Sequence, residues 1–181
     1  MTRVNGILLL PLLFLETRKI GKNLLTFSLL PIGFLIYLLI NYFYFGKPFY
    51  FLTPLYQNWF KKTELPWTGI RGLINSIPGY QNPDFYIRFS ELVAIVFITS
   101  MIIVVYLKVR KSYALFMFLN LLLFVSTNYI LSTPRYTLSL FPIFIALGMI
   151  NNRKALVLIS SIFILLLLYL TYFYTQGRWA F

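Results

Sequence analysis

The chain has 181 residues, of which 60% are hydrophobic and 11% are charged, whereas soluble globular domains carry roughly 25% charged residues. Sixteen Lys and Arg against four Asp and Glu give a net charge of +12, but the cations stand in short clusters between apolar runs. This arrangement is typical of membrane loops and argues against a nucleic-acid partner. Cys and His are absent, which excludes zinc sites, thiol nucleophiles and imidazole bases, and the sequence identifies no metal site and no cofactor.

Continuous apolar runs predict an all-α protein, because only helices or closed barrels satisfy every backbone group in lipid. A helix needs about 20 apolar residues to cross the hydrocarbon. The opening run resembles a signal peptide, but no small-x-small cleavage site follows it. We predict a single polytopic transmembrane domain over residues 1–181, with six spans in the order Val4–Glu16, Leu24–Tyr44, Phe89–Leu107, Tyr113–Leu131, Arg135–Ile150 and Ala155–Tyr174.

Three short loops between the predicted spans are rich in cations. They lie on one side of the bundle, because two spans separate each loop from the next. Dense cations in short loops mark the cytoplasmic face, so both termini and the long loop between the second and third spans are predicted to face outward from the cell membrane. The cations of these loops are Arg18, Lys19 and Lys22, then Lys108, Arg110 and Lys111, then Arg153 and Lys154.

The long outer loop, residues 45–88, is too aromatic for a plain linker. Its apolar residues recur at helical spacing between cations and the breakers Pro66 and Pro78, which predicts two short helices on the membrane surface. Trp and Tyr prefer the headgroup layer, so interfacial anchoring explains the pattern, and the alternative is a lid over a lipid substrate. The residues of the pattern are Leu55, Tyr56, Trp59 and Phe60, then Ile70, Leu73, Ile74 and Ile77.

The fifth predicted span opens with Ser-Thr-Pro-Arg-Tyr at residues 132–136, where Thr133 is the predicted N-cap. An Arg in the first turn faces the positive end of the helix dipole, and the free backbone N–H groups there favour phosphate. Arg135 is therefore the predicted ligand of a lipid phosphate, and Arg178 beyond the last span is a second. The alternatives are that Arg135 snorkels to headgroups and that Arg178 and Trp179 only anchor the chain.

Two of the four carboxylates are candidate catalytic bases near the predicted outer surface. Glu91 lies just inside the third span, where a local ion pair with Arg88 competes with a role as base or sugar ligand. Asp84 follows a predicted Asn-Pro turn, where Asp commonly bonds nearby backbone amides.

Polar residues inside the predicted spans are few. Hydrogen bonds between helices are their expected role, and no charge lies mid-membrane, which argues against a proton relay or an ion pump. A small transporter is a third hypothesis, disfavoured because polarity concentrates at the outer surface. These polar residues are Asn41, Asn120 and Asn128.

Five short motifs occur in order along the chain. They are Thr2-Arg3-Val4-Asn5-Gly6, then Gly46-Lys47-Pro48 with Phe51, then Gln57 and Trp59 before Pro66-Trp67, then Pro134-Arg135-Tyr136 with Phe141-Pro142, and last Gly177-Arg178-Trp179. Together they resemble the C-terminal half of the PIG-V-like mannosyltransferases, polytopic enzymes of the GT-C glycosyltransferase class. The family patterns for the first three motifs are T-R-x-x-G, G-D-P-x-x-F and Q-x-x-W…P-W. The resemblance covers nearly the whole chain.

The resemblance implies transfer of a sugar, typically mannose, from a polyprenyl or dolichyl phosphate carrier to a lipid-linked or other extracytoplasmic acceptor. Membrane lipids and this lipid-phosphate-linked donor are the implied partners. Arg135, Tyr136 and Arg178 would bind the lipid phosphate. The substrate or membrane interface would be formed by Gln57, Trp59, Trp67 and Trp179.

The chain departs from the family pattern in two respects. Lys47 stands where the family has Asp, and the essential carboxylate of the family lies in an outer loop upstream of the matched region. We therefore expect the C-terminal part of a membrane glycosyltransferase, with an N-terminal partner chain or segment supplying the catalytic acid. The alternative is a non-catalytic membrane subunit that binds lipid phosphate or a partner membrane protein.

Overall fold

A computed structural model describes residues 4–16, 24–79 and 84–177, and it confirms the all-α prediction for these residues. A 3-10 helix over Val4–Leu8 comes first. The α-helices that follow are α1 (Leu9–Glu16), α2 (Leu24–Phe45), α3 (Leu52–Trp59), α4 (Pro66–Asn75), α5 (Asp84–Lys108), α6 (Lys111–Val125), α7 (Thr133–Thr137), α8 (Phe141–Gly148) and α9 (Arg153–Thr175).

Two helices of the described chain, α5 and α9, are long and apolar enough to cross a membrane. They have 25 and 23 residues, which corresponds to lengths of about 37 and 34 Å. These helices coincide with the third and sixth predicted spans. Helix α2 has 22 residues and occupies the place of the second predicted span. The remaining predicted spans are shorter helices in the structure, so six complete crossings are not confirmed.

The fifth predicted span is wrong as one continuous helix, because the chain leaves the helical path between Thr137 and Phe141. Pro142 lies in the first turn of α8, where its missing N–H is tolerated. The Pro ring clashes with a preceding helical turn unless the helix bends, so Pro142 favours the break between α7 and α8. Helix α8 has only 8 residues, about 12 Å of length, and cannot span a bilayer alone.

The fourth predicted span also ends earlier than expected, since α6 stops at Val125. The Ser126 amide donates to the Leu122 carbonyl at 2.9 Å and closes the last turn. Beyond it, the Thr127 hydroxyl donates to the Tyr129 carbonyl and the Asn128 side-chain oxygen accepts from the Lys62 amide, so these side chains bond to backbone outside the helix. Helix α6 is therefore 15 residues long, or about 22 Å.

A central helical hairpin, α5 and α6 joined through Val109 and Arg110, organises the packing. Helix α1 packs on α6, while α7 and α8 pack on α5. The residues of the main core, which all lie buried, are Leu12, Ile98, Met101, Val105, Ala114, Phe116, Met117, Phe124, Leu140, Ile143 and Ala146.

Charged groups of this core bundle lie at the two ends of α5. At one end, Arg110 pairs with Glu16 at 2.7 Å, and the Ser112 hydroxyl donates to the same carboxylate. At the other end, called the Glu91 end below, Arg88 and Glu91 lie in the first turns of α5. The helical stretch between them carries no charge, as expected for a segment in the hydrocarbon.

None of the three Asn side chains forms the predicted hydrogen bond between helices within the described part of the chain. Asn41 and Asn120 donate to the carbonyls of Tyr37 and Phe116, four residues earlier in the same helix. Both side chains are buried, so a local backbone acceptor satisfies them without a neighbouring helix. Asn128 lies in the loop after α6 and does join two parts of the chain.

Helices α3 and α4 confirm the prediction of two short helices in the long loop. Helix α4 approaches the end of α6 closely through Gly69, which is buried. A Cβ built on Gly69 would lie 2.5 Å from the Val125 carbonyl oxygen and closer still to that of Thr127. Glycine is therefore required here by the backbone of the neighbouring segment, not by its own dihedral angles.

Gly69→Ala is expected to lower the free energy of unfolding by about 1–3 kcal/mol, because backbone carbonyls cannot give way as a side-chain end can. Thermal unfolding of the purified chain in detergent measures the loss. Gly72→Ala on the same helix is the matched control, since its Cβ would meet the Asn128 carbonyl at an ordinary 3.5 Å. Equal unfolding temperatures for the two variants would contradict the close approach of α4.

Candidate functional site

Asn128 joins the loop after α6 to the segment between α3 and α4. Its side-chain oxygen accepts from the Lys62 amide at 2.8 Å, and its side-chain nitrogen donates to the Phe60 carbonyl at 2.9 Å. The Asn128 amide donates to the Lys62 carbonyl at 3.0 Å, and the Glu64 amide donates to the Ser126 carbonyl at 3.1 Å. Four hydrogen bonds thus fix the segment around Lys61 against the Glu91 end.

Glu91 is buried, with 0% of its surface exposed, and its carboxylate receives two backbone hydrogen bonds. The Ser132 amide donates to one oxygen, and the Thr133 amide donates to the other at 2.8 Å. Ser132 has φ 69°, a left-handed conformation, immediately before α7. Glu91 therefore caps α7 from a distant part of the chain and compensates its unpaired N–H groups.

This geometry corrects two expectations about the start of the fifth predicted span. The backbone N–H groups of Ser132 and Thr133, expected to be available for a phosphate, are bonded to Glu91. The expected ion pair between Glu91 and Arg88 does not form; an Arg88 guanidinium nitrogen instead faces the Ile130 carbonyl oxygen at 3.5 Å. A buried carboxylate needs hydrogen-bond donors, and here two backbone amides supply them.

Lys61 and Arg88 each approach the segment that leads into α7, Lys61 at Tyr129 and Arg88 at Ile130. The Lys61 ammonium lies 5.8 Å from the centre of the Tyr129 ring. Burial lowers the pKa of Lys61, and the negative charge of Glu91 partly offsets that effect. Burial raises the pKa of Tyr129, opposed by the positive charge of Arg88. Both cations therefore interact electrostatically with groups of this cluster. No local pattern in the sequence distinguishes Lys61 from its neighbour Lys62.

Thr133 completes this arrangement with a buried hydroxyl. Only 1% of the residue is exposed, and its Oγ1 has no hydrogen-bond partner among the residues that the structure describes. We call Lys61, Arg88, Glu91, Tyr129 and Thr133 the polar cluster. The cluster contains two cations and one carboxylate, and that carboxylate is already bound to two amides.

The predicted phosphate ligands are placed differently from one another. Arg135 is exposed on α7, two residues beyond Thr133, and it belongs to no ion pair within the described ranges. The Tyr136 ring stacks on Phe124 with 5.1 Å between ring centres, so it packs α7 against α6. Arg178 lies outside the described residues, and its approach to Arg135 stays a prediction.

The predicted interface residues follow the short helices of the long loop. Trp67 is 65% exposed on α4, and Gln57 is exposed on α3. Trp59 ends α3 and Asp84 begins α5. Trp179 lies outside the described residues. An exposed Trp on a helix that docks beside the polar cluster fits the headgroup layer of a membrane.

Comparison with known proteins identifies no relative, since no protein-family model, no curated protein and no solved structure matches the chain. The resemblance to the PIG-V-like mannosyltransferases therefore stays a prediction from the five motifs.

Proposed function

We propose that this chain is the membrane-embedded C-terminal part of a glycosyltransferase. It takes a sugar, mannose by resemblance, from a polyprenyl or dolichyl phosphate carrier and passes it to a lipid-linked or other extracytoplasmic acceptor. The observation that carries this proposal is the excess of positive charge at the Glu91 end. Arg135 is exposed on α7, and two half-buried cations, Lys61 and Arg88, approach the segment that leads into α7. Arg88 lies near one end of a helix long enough to cross a membrane.

The chemistry of a lipid-phosphate donor matches this distribution of charge. When the sugar leaves, negative charge builds on the carrier phosphate, and a fixed cation stabilises that charge in a site of low dielectric constant. The prenyl tail needs apolar surface, which α5 and α9 supply over their lengths. The phosphate needs cations at the boundary between hydrocarbon and water. The cations at the Glu91 end match this requirement.

The proposal assigns the carboxylate that accepts the acceptor proton to a partner. Inverting transfer needs such a base, but Glu91 is buried and bonded to two amides. Glu16 pairs with Arg110 at the far end of α5. Asp84 remains a candidate for the base. The resemblance, however, locates the essential acid upstream of the matched region. An N-terminal partner chain or segment would supply it.

The second candidate function is a non-catalytic membrane subunit that binds lipid phosphate or a partner membrane protein. The engagement of both Glu91 oxygens favours it, because the polar cluster then contains no carboxylate able to take a proton. The genomic DNA upstream of Met1 distinguishes the two functions. An in-frame or adjacent segment with an acidic outer loop supports the enzyme, and an unrelated neighbour supports the subunit.

Arg135→Ala is expected to reduce sugar transfer by about 100-fold or more, the loss typical of removing one group that stabilises developing negative charge. Membranes from cells that express the chain in its native genomic context are incubated with radiolabelled polyprenyl-phosphate mannose, and transfer into extractable acceptors is counted. Lys154→Ala is the control, because this exposed cation lies in the first turn of α9, on the predicted cytoplasmic side. Normal transfer by the Arg135 variant would refute its assigned role.

A further inference from the structure

Helix α4 has one face turned away from the rest of the chain. Trp67, Arg71 and Ile74 follow one another at intervals of four and three residues, so they lie on one side of the helix. All three are exposed, Trp67 by 65% and Ile74 by 52%. The opposite side carries Gly69 and Leu73, which are buried. The exposed side is therefore open to molecules outside the chain.

The depth of α4 along the bundle follows from its packing partners. Leu73 belongs to a buried cluster with Ile95 of α5 and Val125 of α6. Ile95 lies about 20 Å along α5 from Lys108, and α6 runs about 22 Å from Lys111 to Val125. The hydrocarbon of a bilayer is about 30 Å thick. If these two cations mark its boundary on their side, α4 packs beside α5 within the leaflet at the Glu91 end, and any tilt of α5 brings α4 nearer the bilayer centre.

The chemistry of the exposed face of α4 matches a phospholipid. Trp prefers the region between headgroups and hydrocarbon, and Ile is stabilised by the acyl chains. The Arg71 guanidinium can form two parallel hydrogen bonds to a phosphate, and its long side chain reaches toward the headgroups from below. At the same level of the bundle, α5 presents Val93 and Val96 outward, with 50% and 58% of their surfaces exposed. Lipid is the medium that suits both helices.

We infer that the face of α4 formed by Trp67, Arg71 and Ile74 is embedded in the leaflet at the Glu91 end and binds an anionic phospholipid there. Trp67 and Ile74 contact the upper part of the acyl chains, and Arg71 pairs with the lipid phosphate. This placement differs from a helix lying on the membrane surface, because α4 packs beside α5 and not above its end. The inference requires that α5 crosses the bilayer, and it is independent of sugar transfer.

Fluorescence quenching of Trp67 in liposomes tests the embedding. Trp59→Phe and Trp179→Phe leave Trp67 as the one remaining Trp of three, and the purified full chain is reconstituted in phosphatidylcholine brominated on the acyl chains. Bromines near the headgroup should quench Trp67 more than bromines near the chain end, and aqueous iodide should quench it weakly. Strong quenching by iodide and none by bromines would overturn the embedding. Quenching by neither would show that a second copy of the chain covers this face, which would overturn the lipid assignment.

Two single-Trp controls calibrate this measurement in a chain that also carries Trp67→Phe. Val96→Trp places the reporter on the exposed middle of α5, and bromines near the chain end should quench it most. Lys154→Trp places it at an exposed position in the first turn of α9, where iodide should quench it. Quenching of the Val96→Trp chain by bromines without quenching of Trp67 would overturn the inference for α4 and leave the crossing by α5 intact.

Arg71→Gln tests the contact with phosphate. In mixed liposomes of phosphatidylglycerol and phosphatidylcholine, an equal fraction of either lipid is brominated in turn. The brominated anionic lipid should quench Trp67 more strongly, because a cation near the surface enriches anionic lipid several-fold. Arg71→Gln should abolish this difference and Arg71→Lys should retain it. Arg153→Gln is the matched control, since this exposed Arg begins α9 on the predicted cytoplasmic side. A preference that Arg71→Gln leaves unchanged would overturn the phosphate contact.

Discussion

Glu91→Ala is expected to destabilise the folded chain by about 2–6 kcal/mol, because it leaves two amides without an acceptor and each such loss costs about 1–3 kcal/mol. The substitution leaves the amides of Ser132 and Thr133 without acceptors. It also removes the negative charge that raises the pKa of Lys61 against the effect of burial. Because α7 packs on α5, the loss should spread from the start of α7 into the hairpin core.

Unfolding followed by circular dichroism in detergent measures the effect, and limited proteolysis of the loop at residues 126–132 reports the local part. Glu91→Gln keeps an acceptor oxygen and should lie between the unaltered chain and Glu91→Ala. Glu64→Ala is the matched control, because this carboxylate is exposed and its amide, not its side chain, bonds to the Ser126 carbonyl. Equal unfolding midpoints for Glu91→Ala and Glu64→Ala would contradict the capping role.

Val96→Asp is expected to impair membrane insertion strongly. Val96 lies midway along α5, and 58% of its surface is exposed. In water such an exposed substitution would be nearly neutral. In a bilayer, an Asp at the centre of a spanning helix costs about 2.5–3.5 kcal/mol. The position therefore reports whether lipid or water surrounds this face of α5.

The fraction of chain that stays in membranes after alkaline carbonate extraction is the measurement. The expected cost corresponds to a shift of more than about tenfold between inserted and extracted chain. Leu107→Asp is the control on the same helix, since Leu107 is 72% exposed and lies next to Lys108 at the helix end. Equal extraction of the two variants would exclude a lipid-facing centre for α5.

The sequence predicts the long helices well because their signal is local. Unbroken apolar runs place α5 and α9, and helical spacing between breakers places α3 and α4. Proline shows the limit of this reasoning. Pro31 lies inside α2 without ending it, whereas Pro142 begins α8 after a break. The same residue type has either effect, and the surrounding packing decides which.

The polar cluster depends on contacts that no local pattern contains. Glu91 bonds to amides more than forty residues away, and Asn128 bonds to Phe60 across 68 positions. Arg135 was predicted from its own neighbourhood, a helix start after Thr-Pro. The position of Lys61 depends on the packing of α4 through Gly69. This packing brings the segment before α4 against the loop after α6. Tertiary pairing of this kind follows from the fold and not from residue spacing.

The central claim is that the two ends of α5 lie on opposite sides of a bilayer, with the Glu91 end outside. Single Cys residues replacing Lys62, Arg135 and Lys108, all exposed, in this Cys-free chain test it by labelling with a membrane-impermeant maleimide. Cys at Lys62 and at Arg135 should react in intact cells, and Cys at Lys108 only after permeabilisation. Labelling of Lys108 together with the other two, or of Lys62 and Arg135 on different sides, would contradict the claim.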